Sequence, residues 1–69
     1  MTWAFRRLVR KRVVINQADQ AFAGILWAQR GPLLVLRNAE LLQPGTAPQP
    51  MDGEVVVERH SVHFIQIVG

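Results

Sequence analysis

The chain has no cysteine, so neither a disulfide nor a thiolate metal site is available to it. Its two histidines, His60 and His63, cannot complete a zinc site alone. A metal shared through them across a subunit interface is the one arrangement left. No apolar run approaches the roughly 18 residues needed to cross a bilayer. A secretory leader would put its charges first and follow them with an uninterrupted apolar stretch. Here Arg6, Arg7, Arg10, Lys11 and Arg12 are interleaved with apolar residues instead. The expectation is a soluble chain that is not exported. Recognisable chemistry is equally scarce. There is no paired-carboxylate spacing, no glycine-rich phosphate loop and no nucleophile beside an orienting base. Ser61 lies between His60 and His63, but adjacent residues on a tight turn point apart. No enzyme, no cofactor and no small-molecule substrate is expected. Internal repeats and low-complexity tracts are absent too.

What is present is one small domain, residues 1–69. A chain of this length buries only about 60% of the surface its unfolded form exposes. Ordering it costs on the order of 100 kcal/mol at about 1.5 kcal/mol per residue. With disulfides and metals excluded, self-association is the remaining support, and a hydrophobic content of 49% suits it. The net charge of +3 conceals an asymmetry. The five cations named above fall within the first twelve residues, without an acid among them. The rest sets Arg30, Arg37 and Arg59 against Asp19, Glu40, Asp52, Glu54 and Glu58, a balance of −2. The basic character belongs to the first segment.

In chain order, Thr2 caps a predicted helix over residues 3–10, whose basic residues suit its C-terminal end. This segment is either a helix packed on the rest with a solvated basic face, or an arm that contacts nucleic acid or a partner. Lys11 to Gln17 reads as the first strand, and Ala18-Asp19-Gln20 as a turn. Ala21 to Ala28 is the second strand. Its two faces, Phe22, Gly24 and Leu26 against Ala21, Ala23, Ile25 and Trp27, are both apolar, which suits a sheet covered on both sides. Gly24 weakens a strand unless a bend or a close backbone approach requires it, and it is the predicted bend point. Arg30-Gly31-Pro32 turns the chain into a third strand, Leu33 to Leu41. Residues 43–52, with three prolines and a glycine, read as a loop too short to join two domains. Gly53 to Arg59 and Val62 to Val68 read as a last hairpin around His60-Ser61. Trp3 and Trp27 are either packing residues or stacking platforms for bases.

The run Phe22-Ala23-Gly24-Ile25-Leu26, a short turn, and then Leu34-Val35-Leu36-Arg37-Asn38-Ala39-Glu40 resembles the first motif of the Sm-like proteins. Val57-Glu58-Arg59-His60-Ser61-Val62-His63-Phe64-Ile65 approximates the second. The resemblance spans residues 3–68. It implies a mainly β fold, a short N-terminal helix followed by a bent, five-stranded antiparallel open barrel. In that family an Asp and an Asn before the third strand join an Arg-Gly pair of the last hairpin in a uridine pocket. Here Arg30 and Leu33 stand at the first two positions, and the second motif carries Arg59 without the glycine and adds Glu58. These replacements argue against family-type uridine binding. The whole chain is also similar to short proteins encoded among the head and tail genes of tailed bacteriophages.

These readings point first to a non-catalytic assembly module. It would act in a homo-oligomeric ring or as a minor component of a phage particle, and be cytoplasmic, or in the virion if phage-encoded. An open barrel leaves its fourth and fifth strands as edges without lysine or proline to blunt them. The candidate assembly interface is therefore Val55, Val56, Val57, Phe64, Ile65 and Ile67. Candidate contacts to nucleic acid or a partner are Arg6, Arg7, Arg10, Lys11, Arg12, Arg30 and Arg59. The alternative is an RNA-binding regulator in the manner of the bacterial Sm-like chaperones.

Overall fold

Val13 and Ile15 are fully buried while the residues beside them are not, the two-residue period of a strand with one face on a core. They lie in β1 (Arg12–Asn16), the first strand in the computed structural model, which describes residues 9–69. The other strands among the described residues are β2 (Ala21–Arg30), β3 (Leu33–Leu42), β4 (Gln49–Pro50), β5 (Glu54–Glu58) and β6 (Phe64–Ile67). A 3-10 turn over Arg59–Ser61 separates the last two. The fold is mainly β. All pairings are antiparallel, in the order β4–β3–β2–β1–β6, with β5 also on β3.

The ten residues of β3 make it the hub. One side runs along β2. The other is divided between β5, opposite Leu33–Arg37, and β4, opposite Glu40 and Leu41. Leu34, Val35 and Leu36 are all buried, so both faces of β3 are covered there, as an unalternating apolar run requires. Leu34 and Leu36 join Val13, Ile15, Leu26, Ala39 and Val57 in the core, with Phe22, Val55, Val62 and Ile65 packed around them. Complete burial of side chains such as Leu26 and Leu36 contributes about 1.5–3 kcal/mol each.

Two register shifts bend the β2–β3 pair. Between Ala23↔Glu40 and Ile25↔Arg37, β3 holds one residue more than β2. Asn38 takes up the excess at φ 52°, a left-handed conformation that a short polar side chain tolerates. Between Leu26↔Leu36 and Ala28↔Val35 the extra residue is Trp27, on β2. Gly24 sits at the first shift, and a Cβ there would meet the Arg37 carbonyl oxygen at 3.0 Å and the Ala39 Cα at 3.1 Å. The close approach of the β3 backbone is what requires glycine.

Several sequence expectations are corrected. The predicted helix lies outside the described residues except for Val9 and Arg10, which form a turn. Arg10 is at φ 73° and its N–H donates to the Leu26 carbonyl, so the chain already tracks β2 there. Residues 43–52 are not wholly loop. Gln49 and Pro50 pair with β3, whose C-terminal half would otherwise be an open edge, and the Met51 N–H donates to the Ala39 carbonyl. The last two strands do not pair as a hairpin. The 3-10 turn carries the chain across the barrel, so β5 lies on β3 and β6 on β1. The barrel is open between them.

Candidate nucleic-acid interface

Gly31, at φ 58°, and Pro32 turn β2 into β3, and the Gln29 side-chain amide donates to the Gly31 carbonyl at 3.2 Å. The 3-10 turn closes through Val62 N–H on the Arg59 carbonyl, and Ser61 Oγ donates to the Glu58 carbonyl at 2.7 Å. Arg59 N–H donates to the Pro32 carbonyl at 2.8 Å, one step beyond the Leu33↔Glu58 pair. Arg30 and Leu33 from one turn thus stand beside Glu58, Arg59 and His60 from the other.

Arg30, Glu58 and His60 are exposed, and Leu33 and Arg59 half-buried. Glu58 and His60 are 3.8 Å apart, with side chains 65% and 75% exposed, where water screens any attraction. Arg59 Nη1 is shielded from solvent and has no hydrogen-bond partner among the described residues. The turn cluster can offer guanidinium donors to an anion, with Glu58 opposing a full ring of phosphate contacts.

A chain of side-chain amides supports the 3-10 turn from the far side. Gln43 Nε2 reaches Gln20 Oε1 at 3.5 Å, Gln20 Nε2 donates to Gln17 Oε1 at 3.2 Å, and Gln17 Nε2 donates to Ser61 Oγ at 2.8 Å. The Ser61 hydroxyl is therefore engaged with Gln17 and Glu58 rather than with a histidine. These glutamines, with Asn16 and Asp19, border an open groove between the β1–β2 turn and the end of β3. A plain turn is all that residues 18–20 suggest in the sequence, and the recurrence of Asn and Gln at 16, 17, 20 and 43 is the signal that could have found this network. Among the described residues no group of three or more His, Cys, Asp or Glu is placed to hold a metal ion. No helix there is long and apolar enough to cross a membrane.

The other candidate cations lie elsewhere. Arg6 and Arg7 fall outside the described residues. Arg10, Lys11 and Arg12 are exposed around the start of β1. The Arg10 guanidinium lies over the Trp27 ring at 3.9 Å from its centroid, and that of Arg37 at 4.1 Å. Arg37, which sequence reasoning left out of the site, also donates through Nε to Glu54 Oε2 at 3.0 Å. The six candidate interface residues separate by burial. Val55, Val57 and Ile65 pack on or within the core. Val56, Phe64 and Ile67 are exposed, at 54%, 58% and 56%, on strands that each have a single partner; Val56 and Phe64 face outward, while Ile67 stands opposite Val13 at the end of the core face.

Two solved structures share this architecture over nearly the whole chain. One is the Pyrococcus abyssii Sm protein in complex with a uridine heptamer, 23% identical, with a TM-score of 0.81 over 97% of this chain and 96% of that one. The other is the P. aerophilum SmAP1 heptamer, 25% identical, with a TM-score of 0.81 over 100% and 93%. No family model matches the chain, and no curated protein is similar to it in sequence. The fold is Sm-like, and these archaeal neighbours support the family resemblance carried by Gly24 and the β2–β3 motif. The N-terminal helix and the resemblance to bacteriophage modules find no support in them.

Proposed function

We propose that this chain is a single Sm-like domain that assembles edge to edge into a ring and holds single-stranded RNA at its turn cluster. The observation that carries the reading is the hydrogen bond from Arg59 N–H to the Pro32 carbonyl, which seats the 3-10 turn against the β2–β3 turn. It brings the turn that carries Arg59 against the turn that follows Arg30, which supports a common site for the two, in a fold shared with a protein solved in complex with a uridine heptamer. The free edges of β5 and β6, with Val56, Phe64 and Ile67 exposed, support assembly. The other fold neighbour is a heptamer.

The base preference follows from the side chains. Leu33 offers a base no amide, and Glu58 repels phosphate, so uridine loses its selective contacts. Arg30 and Arg59 retain attraction for the backbone, which carries no sequence information. Binding should therefore be base-tolerant and strongly salt-dependent. Fluorescence anisotropy with labelled oligo-U and oligo-A at two salt concentrations tests this. Affinities within about threefold of each other, both weakened several-fold by Arg30→Gln, are expected. Binding of neither oligonucleotide at low salt would overturn the RNA reading. A large uridine preference would overturn base tolerance.

A further inference from the structure

The 3-10 turn that carries Arg59 is three residues long, and its hydrogen-bond geometry is poorer than that of an α-helix. Its position is therefore set by what grips it from outside. At its start Arg59 N–H donates to the Pro32 carbonyl, and just past its end His63 N–H donates to the Asn16 carbonyl at 2.8 Å. Both are main-chain bonds. Between them stands one side-chain link, from Gln17 Nε2 to Ser61 Oγ at 2.8 Å, which ties the β1–β2 turn to the 3-10 turn. Ser61 Oγ passes the contact on to the carbonyl of Glu58, the residue before Arg59, at 2.7 Å.

The polarity of this link is fixed from both sides. The single Ser61 hydroxyl proton goes to Glu58, so Ser61 can only accept from Gln17. Gln20 Nε2 occupies the Gln17 side-chain carbonyl at 3.2 Å, which turns the Gln17 NH2 toward Ser61. The Gln17 backbone is anchored too, its N–H donating to the Gln20 carbonyl at 2.9 Å. Gln17, Gln20 and Ser61 are all half-buried, where the lower local dielectric strengthens such bonds. Arg59 depends on a firm mount. Its Nη1 is shielded from solvent and has no hydrogen-bond partner among the described residues, so the turn backbone gives the guanidinium its direction. We propose that Gln17 and Ser61 are positioning residues for the RNA site. They hold the 3-10 turn so that Arg59 meets a phosphate, and touch no RNA themselves. The inference rests on the RNA-binding reading and adds to it the device that aims one of its two arginines.

The test is fluorescence anisotropy of labelled oligo-U and oligo-A with the full chain. Gln17→Ala and Ser61→Ala should each weaken binding of both oligonucleotides several-fold. The slope of log affinity against log salt should become shallower by up to about 0.7, the share of one single-strand phosphate contact. Ser61→Thr keeps the hydroxyl and should bind as wild type does. Arg59→Gln separates aiming from structural support. In that background Gln17→Ala should still lower the melting temperature but cost no further affinity, because it reaches the RNA only through Arg59. Equal losses of affinity with and without Arg59 would overturn the positioning role and leave the RNA site standing. So would alanine variants that are folded by circular dichroism and bind as wild type does. A wild-type chain that binds neither oligonucleotide would overturn both. Gln17→Asn keeps the amide but shortens its reach, and it carries the same cycle should alanine unfold the chain.

Discussion

A single added methyl group tests how closely β2 and β3 approach. Gly24→Ala puts its Cβ against backbone atoms of Arg37 and Ala39, which cannot rotate away as a side chain would. Gly24→Val adds two further carbons. Destabilisation of about 1–3 kcal/mol is expected for valine. In a domain of this size each kcal/mol moves the melting temperature by about 4–8 °C. An unchanged melt for both variants would mean that the strands separate there without penalty. Ser61 tests a different kind of support. Ser61→Ala removes the donor to the Glu58 carbonyl and leaves the Gln17 amide without its acceptor, at about 0.5–1.5 kcal/mol. Because the two side chains share one hydrogen bond, Gln17→Ala and Ser61→Ala should combine non-additively by about 0.5 kcal/mol or more. Additivity in the double-mutant cycle would reduce the amide chain to a surface coincidence.

At the scale of elements, Val56 on β5 and Phe64 on β6 point away from the core, so replacing them by lysine leaves the packing intact. It places the charges with which monomeric proteins protect such edges. Val56→Lys with Phe64→Lys should yield a folded but smaller species in sedimentation. Val57→Lys should instead unfold the domain, because Val57 belongs to the core. Identical sedimentation of wild type and the double variant would move the interface elsewhere. Much of this architecture is legible in the sequence. Val13-Val14-Ile15 is a β-branched run, and Gly31-Pro32 marks the β2–β3 turn, so the first three strands fall within two residues of their expected ends. Distance along the chain hides the remainder. β5 and β6 are neighbours in sequence, yet β5 is positioned by a register with Leu33–Arg37. β4 is two residues long, contains a proline, and exists only because β3 extends far enough to pair with it. The turn cluster is foreshadowed at Arg30 and Arg59 by family resemblance. The stacking of Arg10 and Arg37 on Trp27 depends on a bulge and a left-handed residue, which no local pattern announces.

At the scale of the molecule, the proposed ring follows from two unlike edges, β5 beside β3 and β6 beside β1. Joining them is a head-to-tail contact, which closes into a ring when the rotation permits. Native mass measurement should find one multiple of the 7.8 kDa chain in large excess over the others. A folded monomer persisting at micromolar concentration would rule assembly out. The difference between the edges has a further consequence, familiar from polymer chemistry. A subunit carrying only Val56→Lys keeps its β6 edge intact, so it can still join a growing arc by that edge and then stop extension at its own β5. It behaves as a chain terminator. Small amounts doped into wild type during refolding should therefore trap open arcs, each with one variant subunit at an end. The loss of closed rings should exceed the mole fraction of variant, because one terminator disables every subunit in its arc. A subunit with both edges disabled cannot join an arc and should leave the rings of its wild-type neighbours unchanged.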